Sequence, residues 1–377
     1  MQKLDVLIVG GGIAGASLGA RLAGSLRVML IEAEDLCGRH ATGRSVAFWE
    51  ASLGGATPER QLSLASKPMF DAGWPGSATP LLKRRGTLHL CGPHGDRLEG
   101  ADELTGEHAL TYLDRAELER RVPGLRSQWT GAWYGPSCAD IDVAAFHGAC
   151  LAAIRRAGGE VRTDAALRSA SPARAGSGAG AHGWKVATDS GELETQVLVN
   201  AAGAWGDEVA RRAGIAPIGL EPRRRTVVQL RVGRDGLRTL PLVTDLHHSF
   251  YFKGEGTNSV WVSPLDETPA QPCDAAPEEI DVAIAIDRFS QAVDWPVEAV
   301  ERKWAGLRTF APGNAMQFGF DPDAPGFFWC VGQGGMGIQT APAASLLCAA
   351  LIGGEPLPDE LAGIDPADFA PRAQRLA

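Results

Sequence analysis

The strongest constraint on the fold of this 377-residue chain lies in its first 32 residues. The apolar run Val6–Val9 predicts a buried parallel strand, and it leads directly into the sequence GGGIAG at Gly10–Gly15. A helical segment continues to Ala23, and a second apolar run over 28–31 ends at Glu32. Strand, glycine-rich turn, helix and strand in this order predict a right-handed βαβ unit.

The turn fits the dinucleotide-binding fingerprint G-x-G-x-x-G. Gly10 permits the tight turn, Gly12 lets a pyrophosphate approach the backbone at the positive helix end, and Gly15 lets helix and strand pack closely. Glu32 follows Gly12 by 20 residues, the spacing at which a carboxylate accepts hydrogen bonds from ribose hydroxyls, and its charge would repel a 2′-phosphate. The predicted cofactor contacts here are Gly10, Gly12, Ile13, Ala14, Gly15 and Glu32.

A second glycine-rich junction near the C-terminus indicates which dinucleotide, FAD or NAD, the chain binds. A strand-like run at 327–331 passes into the glycine-rich stretch 332–337, and a helix of small residues is predicted over 340–352. A flavin ring needs hydrogen-bond donors and a positive dipole where negative charge grows on reduction, and the start of a helix supplies both. A simple NAD-binding domain has no need of this late element, so FAD is favoured.

Charge and cysteine usage exclude several classes of protein. The net charge of −9, from 36 basic and 45 acidic residues, argues against nucleic-acid binding. The seven cysteines are widely spaced and odd in number, which argues against a disulfide framework or a metal site. No apolar run reaches the roughly 18 residues of a membrane-spanning helix. We expect a cytoplasmic protein with a small-molecule partner, no metal and no membrane span.

The order of these patterns predicts an interrupted domain. The 47 glycines concentrate partly in the two junctions and partly in a Ser/Pro/Ala/Gly-rich stretch at 171–183, which predicts an exposed hairpin loop. Alternating or β-branched runs at 226–232 and 249–262 predict antiparallel sheet. The expected fold class is α/β (α+β), with a Rossmann-like FAD-binding domain and an inserted antiparallel-sheet substrate domain. The predicted boundaries are 1–50, 139–218 and 306–377 for the FAD-binding domain and 51–138 and 219–305 for the substrate domain.

Seven sequence blocks follow one another in an order shared with a known superfamily. They are VGGGIAGAS at 9–17, HATGRS at 40–45, DIDVA at 140–144, VNAAGAW at 199–205, SFY at 249–251, WAGLR at 304–308 and QGGMGIQT at 333–340. On these blocks, which span nearly the whole chain, the sequence resembles the D-amino-acid oxidase superfamily of FAD-dependent amine oxidoreductases. Within it, the sequence is similar to the D-arginine dehydrogenase and glycine oxidase types.

The resemblance implies an FAD that extends from the βαβ unit to the domain interface. In some relatives a cysteine just after the WAGLR block links covalently to the flavin, whereas this chain continues with Thr309 and Phe310, so noncovalent FAD is expected. The cofactor contacts that the resemblance implies are Thr42, Arg44, Ser45, Ala47, Ala202, Gly203, Trp205, Gly335, Met336, Gly337, Ile338, Gln339 and Thr340.

An amino-acid substrate needs a clamp for its carboxylate, and a guanidinium suits it because it offers two parallel hydrogen bonds. The resemblance implies that Arg308 is one clamp and that Tyr251 reaches the same carboxylate. A second clamp is expected from residues 223–225, where strand alternation places the middle arginine on the opposite face from its neighbours. Arg225 is favoured, with Arg224 as the alternative.

Three departures from the D-arginine dehydrogenase pattern bear on the substrate. The histidine, tyrosine and acidic residue of that type are replaced by Phe48, Leu53 and Thr87, while Gly335 is expected to border the same pocket. A cationic side chain would lose its partner, which costs a few kcal/mol if the pair is buried. A neutral or apolar substrate is therefore expected.

The sequence leaves several functions open. The leading hypothesis is oxidative deamination of a small D-amino acid to a 2-oxo acid and ammonia. The alternatives are oxidation of secondary amines or glycine-type substrates, and a non-catalytic FAD-binding subunit. The electron acceptor is expected to be O2 or a quinone or dye. The adjacent His247 and His248 predict either a solvent-facing loop or part of the substrate entrance.

Overall fold

The computed structural model describes residues 2–55, 57–92, 98, 100–173 and 183–371. The helices in this part of the chain are α1 (Ile13–Leu22), α2 (Pro58–Asp71), α3 (Arg115–Arg121), α4 (Val143–Arg156), α5 (Gly206–Arg212), α6 (Glu279–Ala292) and α7 (Gly337–Gly353). The strands are β1 (Gln2–Val9), β2 (Val28–Ile31), β3 (Phe48–Trp49), β4 (Leu82–Arg84), β5 (Thr87–Cys91), β6 (Thr111–Asp114), β7 (Gly131–Gly135), β8 (Ala139–Ile141), β9 (Glu160–Arg162), β10 (Leu167–Pro172), β11 (Trp184–Thr188), β12 (Gly191–Asn200), β13 (Glu221–Val232), β14 (Leu242–Asp245), β15 (Tyr251–Gly254), β16 (Ser259–Ser263), β17 (Thr268–Pro269), β18 (Val297–Phe310), β19 (Gln317–Phe320) and β20 (Phe327–Val331).

The first sheet carries the predicted βαβ unit. Its parallel centre joins β20, β12, β1, β2 and β9 side by side, with α1 connecting β1 to β2. Every residue of β2 is buried, because helices α1, α4 and α7 share a hydrophobic cluster with one face and α5 packs on the other. Burial on both faces explains the continuous apolar runs in the sequence, and the predicted unit is confirmed.

The second sheet is the antiparallel element that the sequence predicted over 226–232 and 249–262. Its strand order is β17-β13-β16-β15-β14-β5-β7-β6, with β18 beside β13, and only β14 and β5 run parallel among the described pairs. One face packs on α6 through Phe252, Phe289 and Trp295. A small third sheet, β3-β8-β4, lies beside these two and positions the residues that follow β3.

Helix α2 lies inside the segment 51–138, which the sequence assigned to the substrate domain. It packs against α7, and its Leu62 and Phe70 are buried in the hydrophobic cluster of the first sheet. This helix is therefore part of the hydrophobic core around the first sheet, because its apolar face is buried there. The five-segment division of the chain stays a prediction in its other boundaries.

Two smaller expectations concern the periphery. The hairpin loop expected at 171–183 falls largely on 174–182, outside the described residues, and β10 and β11 on either side of it pair antiparallel. In the part of the chain that the structure describes, no helix is both long and apolar enough to cross a membrane.

Candidate active site and cofactor cleft

A single cavity of about 570 Å³ connects the glycine-rich turn of the first sheet to one face of the second sheet. It includes Gly10 and Glu32 at one end and Arg225, Tyr251 and Arg308 at the other. The predicted cofactor residues that line it are Gly10, Gly12, Ile13, Ala14, Glu32, Thr42, Arg44, Ser45, Ala47, Ala202, Gly203, Trp205, Gly335, Met336, Gly337, Ile338 and Gln339. Residues far apart in the sequence therefore share one crevice.

The glycine-rich turn has no room for side chains at two of its positions. Gly10 adopts φ +112°, and a Cβ there would lie 2.4 Å from the carbonyl oxygen of Ala201. A Cβ on Gly15 would lie 2.1 Å from the carbonyl oxygen of Gly10. Gly15 is not among the cavity-lining residues, because it is packed against the turn itself. It thus acts on the shape of the turn, and its direct contact with the cofactor stays a prediction.

Polar side chains hold the turn in place. The backbone N–H of Gly11 donates to Glu32 Oε2 (2.8 Å), and that of Ile13 donates to Thr42 Oγ1 (2.9 Å). His147 on α4 lies 2.8 Å from the carbonyl oxygen of Gly11 through its Nε2. Burial lowers the pKa of His147, so the neutral ring donates from Nε2. Sequence reasoning missed His147, because a histidine within a predicted helix carries no motif.

The C-terminal junction brings the start of α7 to the same cavity. The first N–H groups of a helix have no acceptor within the helix, and Gly337 and Ile338 at this end line the cavity. Thr340 does not line it: its side chain is buried, and its hydroxyl donates to the carbonyl oxygen of Met336 (2.9 Å). The side chain of Thr340 thus caps the helix backbone, and its predicted contact with the cofactor stays a prediction.

At the other end of the cavity, two arginines lie on one face of paired strands. In the register of β13 and β18, Arg225 is opposite Gly306 and Arg223 is opposite Arg308. Arg225 donates from Nε to the carbonyl oxygen of Asp266 and from Nη2 to Glu267 Oε1, both at 2.8 Å, while its buried Nη1 has no partner among the described residues. Burial and the nearby charge of Arg308 lower the pKa of Arg225 to about 10, so it stays protonated at neutral pH.

Arg308 offers an unpaired cation to the cavity. Among the described residues no acidic side chain forms an ion pair with it, and it retains partial exposure where it lines the cavity. Burial lowers its pKa, and the nearby Tyr251 acts in the opposite direction. Tyr251 is itself buried, which raises its pKa, so its hydroxyl is a neutral donor at physiological pH. Two guanidinium groups and one phenol therefore converge on a space suited to an anion.

Arg224 does not belong to this group, which corrects its place as the alternative clamp. Its guanidinium pairs with Glu278 and with Asp281 Oδ2 (3.0 Å), on the side of α6. The physical reason is the strand alternation, which turns it away from the face that carries Arg225. The substrate-pocket role predicted for Arg224 is therefore wrong.

The pocket residues Phe48, Leu53, Thr87 and Gly335 all line the cavity, and a carboxylate that the sequence reasoning missed lies among them. Glu50 directly follows β3, and its Oε2 accepts a hydrogen bond from Thr87 Oγ1. Its Oε1 accepts from Ser52 Oγ (2.9 Å), which in turn lies 3.2 Å from His89 Nε2. This end of the cavity is therefore polar, and the neutral or apolar substrate expected from the sequence stays a prediction. An acidic residue inside the apolar run AFWEASL was the available signal.

His247 and His248 follow β14, and they differ in their position relative to the cavity. Both side chains are exposed, but His248 lines the cavity and His247 does not. His248 also has a left-handed backbone, with φ +50°. His248 therefore lies at the edge of the cavity, as the entrance interpretation requires.

Comparison with known proteins identifies the family. A profile of the family DAO, described as FAD dependent oxidoreductase, matches residues 5–351. The chain belongs to the DAO family of FAD-dependent oxidoreductases. Membership agrees with the resemblance carried by the sequence blocks, and it establishes that this DAO-family protein is an FAD-dependent enzyme.

Relatives share the fold at low sequence identity. The chain is 24% identical over 361 residues to the bifunctional protein ThiO/ThiG of Nostoc sp., covering 92% of this chain and 52% of that protein, so it spans about half of that relative's length. Glycine oxidase from Geobacillus kaustophilus has a TM-score of 0.80 at 21% identity, covering 99% of both chains. L-α-glycerophosphate oxidase from Mycoplasma pneumoniae, solved with FAD bound, has a TM-score of 0.83 at 16% identity, covering 94% of this chain and 95% of that one.

The residues of this DAO-family chain fit FAD. The glycine cradle and the N-terminus of α1 suit a pyrophosphate, and the N-terminus of α7 suits the electron-rich edge of a flavin. Both open onto the same cavity, so an extended dinucleotide meets complementary groups at each end. Arg44 lines the path between them and is anchored to the carbonyl oxygens of Ala275 (2.9 Å) and Ala305 (3.0 Å).

Proposed function

We propose that this enzyme oxidatively deaminates an amino acid, with the D-enantiomer as the substrate. The observation that carries the proposal is the pair of guanidinium groups, Arg225 and Arg308, which both line the cofactor cavity. Arg225 Nη1 is buried without a partner among the described residues, and no acidic side chain among them pairs with Arg308. A carboxylate is the planar anion that such groups bind through parallel hydrogen bonds. FAD, when bound, supplies the acceptor for the hydride that leaves the substrate Cα.

The protein's own groups orient the substrate. Arg225 and Arg308 hold the carboxylate, and Tyr251 donates a further hydrogen bond from its neutral hydroxyl. Hydrogen bonds to charged groups are each worth about 1.5–3 kcal/mol. Fixing one end of the substrate in this way turns its Cα toward the cofactor and reduces the entropy lost on the way to reaction. The imine product hydrolyses to a 2-oxo acid and ammonia.

Phe48 shapes the space next to the clamp. Its ring meets the ring of Tyr251 edge to face, with centroids 5.8 Å apart. An aromatic wall at this position keeps water from the carboxylate end and strengthens its electrostatic contacts. The same clamp would also serve a secondary amine or a glycine-type substrate, and likeness to glycine oxidase makes these the second candidates.

The test is anaerobic reduction of the bound flavin. The purified holoenzyme is mixed with D-amino acids, L-amino acids, glycine and N-methyl amino acids, and the visible absorbance is followed. We expect bleaching by D-amino acids at the highest rate. Faster bleaching by the L-enantiomers or by N-methyl amino acids would replace the proposed substrate, and no bleaching by any of them would refute the proposal.

A matched pair of variants tests the clamp. Arg308→Met should abolish rapid bleaching, whereas Arg224→Met, which removes an arginine from the other face of the same two paired strands, should retain it. Reoxidation of the reduced enzyme by air, by a quinone or by a dye then identifies the acceptor. Equal rates in both variants would show that Arg308 does not hold the substrate.

A further inference from the structure

The cavity holds a buried carboxylate that no cation of the protein neutralises. Glu50 is 1% exposed, and among the described residues no lysine or arginine lies within ion-pair distance of it. Its ionisable neighbours include His89, whose Nε2 is 4.0 Å from Glu50 Oε1, and the Cys138 thiol, whose pKa is raised by burial and by the charge of Glu50. The carboxylate is held by Ser52 and Thr87 through neutral hydroxyls. A buried carboxylate in such surroundings is costly unless a cation joins it.

The hydrogen bonds around Glu50 also leave an acceptor free on His89. Ser52 has a single hydroxyl proton, which it donates to Glu50, so its oxygen accepts from His89 Nε2. Burial lowers the pKa of His89, so the ring is neutral and its Nδ1 is an acceptor. Nδ1 is buried and has no partner among the described residues. Two acceptors therefore border the cavity, and a ligand with several donors would satisfy both.

The register of the second sheet gives the distance from this pair to the carboxylate clamp. His89 on β5 is opposite Thr244 on β14, and Thr244 is opposite Tyr251 on β15. All three line the cavity. Neighbouring strands are about 4.8 Å apart, so His89 and Tyr251 are separated by about 10 Å along this row. Their side chains rise from the same face and shorten the gap between their polar ends.

We propose that Glu50 and His89 bind a protonated amine or guanidinium at the end of the substrate side chain. The enzyme would then select basic amino acids, which carry a carboxylate for the clamp and a cation for Glu50. This inference rests on the proposed oxidation of a clamped amino acid, and it replaces the neutral or apolar substrate that the sequence predicted. Glu50 and His89 would be specificity-determining residues and take no part in the oxidation step.

The length of the substrate decides which amine meets Glu50. The α-amino nitrogen lies roughly 2.5 Å from the carboxylate carbon and cannot span the row from Tyr251 to His89. In an extended lysine, six bonds of about 1.5 Å separate the carboxylate carbon from the terminal nitrogen, which gives roughly 7 Å. That length, added to the reach of the Tyr251 and His89 side chains, is enough to span the separation of about 10 Å between their strands. The terminal group is therefore the one that Glu50 can hold.

The first experiment compares substrates that have the same carbon skeleton, using the native holoenzyme. D-lysine and D-norleucine share four side-chain carbons, and D-lysine carries an ammonium group on the last of them. We expect kcat/KM for flavin reduction to be about 100-fold higher for D-lysine, since leaving a buried charge unpaired typically has an effect of this size. Nε-acetyl-D-lysine, which lacks the charge, should lose the advantage. Equal or faster reduction by D-norleucine would overturn the inference and leave the proposed function standing.

The second experiment measures binding without turnover. Hexanoate and 6-aminohexanoate lack an α-amino group, so their dissociation constants follow from the change they cause in the flavin spectrum. We expect 6-aminohexanoate to bind to the native protein at least about tenfold more tightly than hexanoate does. Glu50→Gln should remove the difference, whereas Glu192→Gln, at an exposed position on β12, should preserve it. A preference that survives in a folded Glu50→Gln protein would refute the role of Glu50.

The two measurements separate the possible failures. If no amino acid reduces the flavin, the proposed function fails, and the ligand pair still decides whether a cation is recognised. If Glu50→Gln does not fold, the substrate pair and the ligand pair on the native protein decide the inference by themselves. Equal binding of hexanoate and 6-aminohexanoate to the native protein would overturn it.

Discussion

Replacing Gly335 with alanine tests the arginine clamp without removing a charge. A Cβ at this position would lie 2.8 Å from Arg308 Nη1 and 3.2 Å from Cζ. Ordinary contacts begin at 3.4 Å, so the guanidinium has to withdraw by about 0.6 Å. The backbone of Gly335 lies outside the left-handed region, so alanine adds no backbone strain. The substitution therefore displaces one functional group by about 0.6 Å.

The expected loss follows from that displacement. A misplacement of about 1 Å in an active site costs roughly 100-fold in rate, so about 0.6 Å should lower kcat/KM by roughly 10- to 100-fold. This corresponds to about 1.4–2.7 kcal/mol. The free energy of unfolding should change by less than about 1 kcal/mol, because the displaced atoms are at the end of a long side chain.

The assay combines anaerobic flavin reduction, the absorbance ratio that reports bound FAD, and denaturant unfolding. Gly148→Ala is the matched control, since it lies in α4 with no atom within 4 Å of the added Cβ. Alanine there should stabilise the helix by roughly 0.5–1 kcal/mol and leave kinetics unchanged. An unaltered kcat/KM in Gly335→Ala with FAD fully bound would refute the placement of Arg308 at the substrate.

Four further outcomes are expected. Arg308→Met should lower kcat/KM by about 10²–10⁴, the equivalent of two charged hydrogen bonds, while the FAD absorbance stays; a loss of only a few-fold in steady-state assays would contradict this. Gly15→Ala should prevent FAD uptake, measured by absorbance after reconstitution, because its methyl group would meet the carbonyl oxygen of Gly10 at 2.1 Å. Acid precipitation should release all the FAD into the supernatant, since Thr309 and Phe310, and no cysteine, come directly after Arg308; a yellow pellet would show a covalent bond. The pKa of buried His147 is lowered, so below about pH 6.5 the unfolded chain binds a proton that the folded chain does not. Denaturant unfolding should therefore show stability falling by up to about 1.4 kcal/mol per pH unit, with a shallower slope in His147→Asn.

Local sequence patterns predicted those parts of the fold that depend on interactions between residues close together in the chain. The βαβ unit follows from apolar runs and a turn that tolerates only glycine, and these features are contiguous in the chain. Strand alternation likewise separated Arg225 from Arg224, because side chains on successive residues point to opposite faces whatever the sheet packs against. The segment 51–138 was assigned as a whole to the substrate domain, whereas α2 within it packs on α7, because an apolar helix face in the sequence does not indicate which sheet or helix will cover it.

The sequence by itself determined the dinucleotide fingerprint, the antiparallel sheet and the arginines that could hold a carboxylate. Only the tertiary structure decided which polar groups share the cavity. Phe48, Leu53 and Thr87 together indicated a neutral or apolar substrate. The fold, in which β3 pairs with β8, brings Glu50 against Thr87 from 37 residues away in the sequence. What a buried carboxylate can bind depends on the charged groups within a few ångströms of it. Which groups these are is decided by the pairing of strands that lie far apart in the sequence.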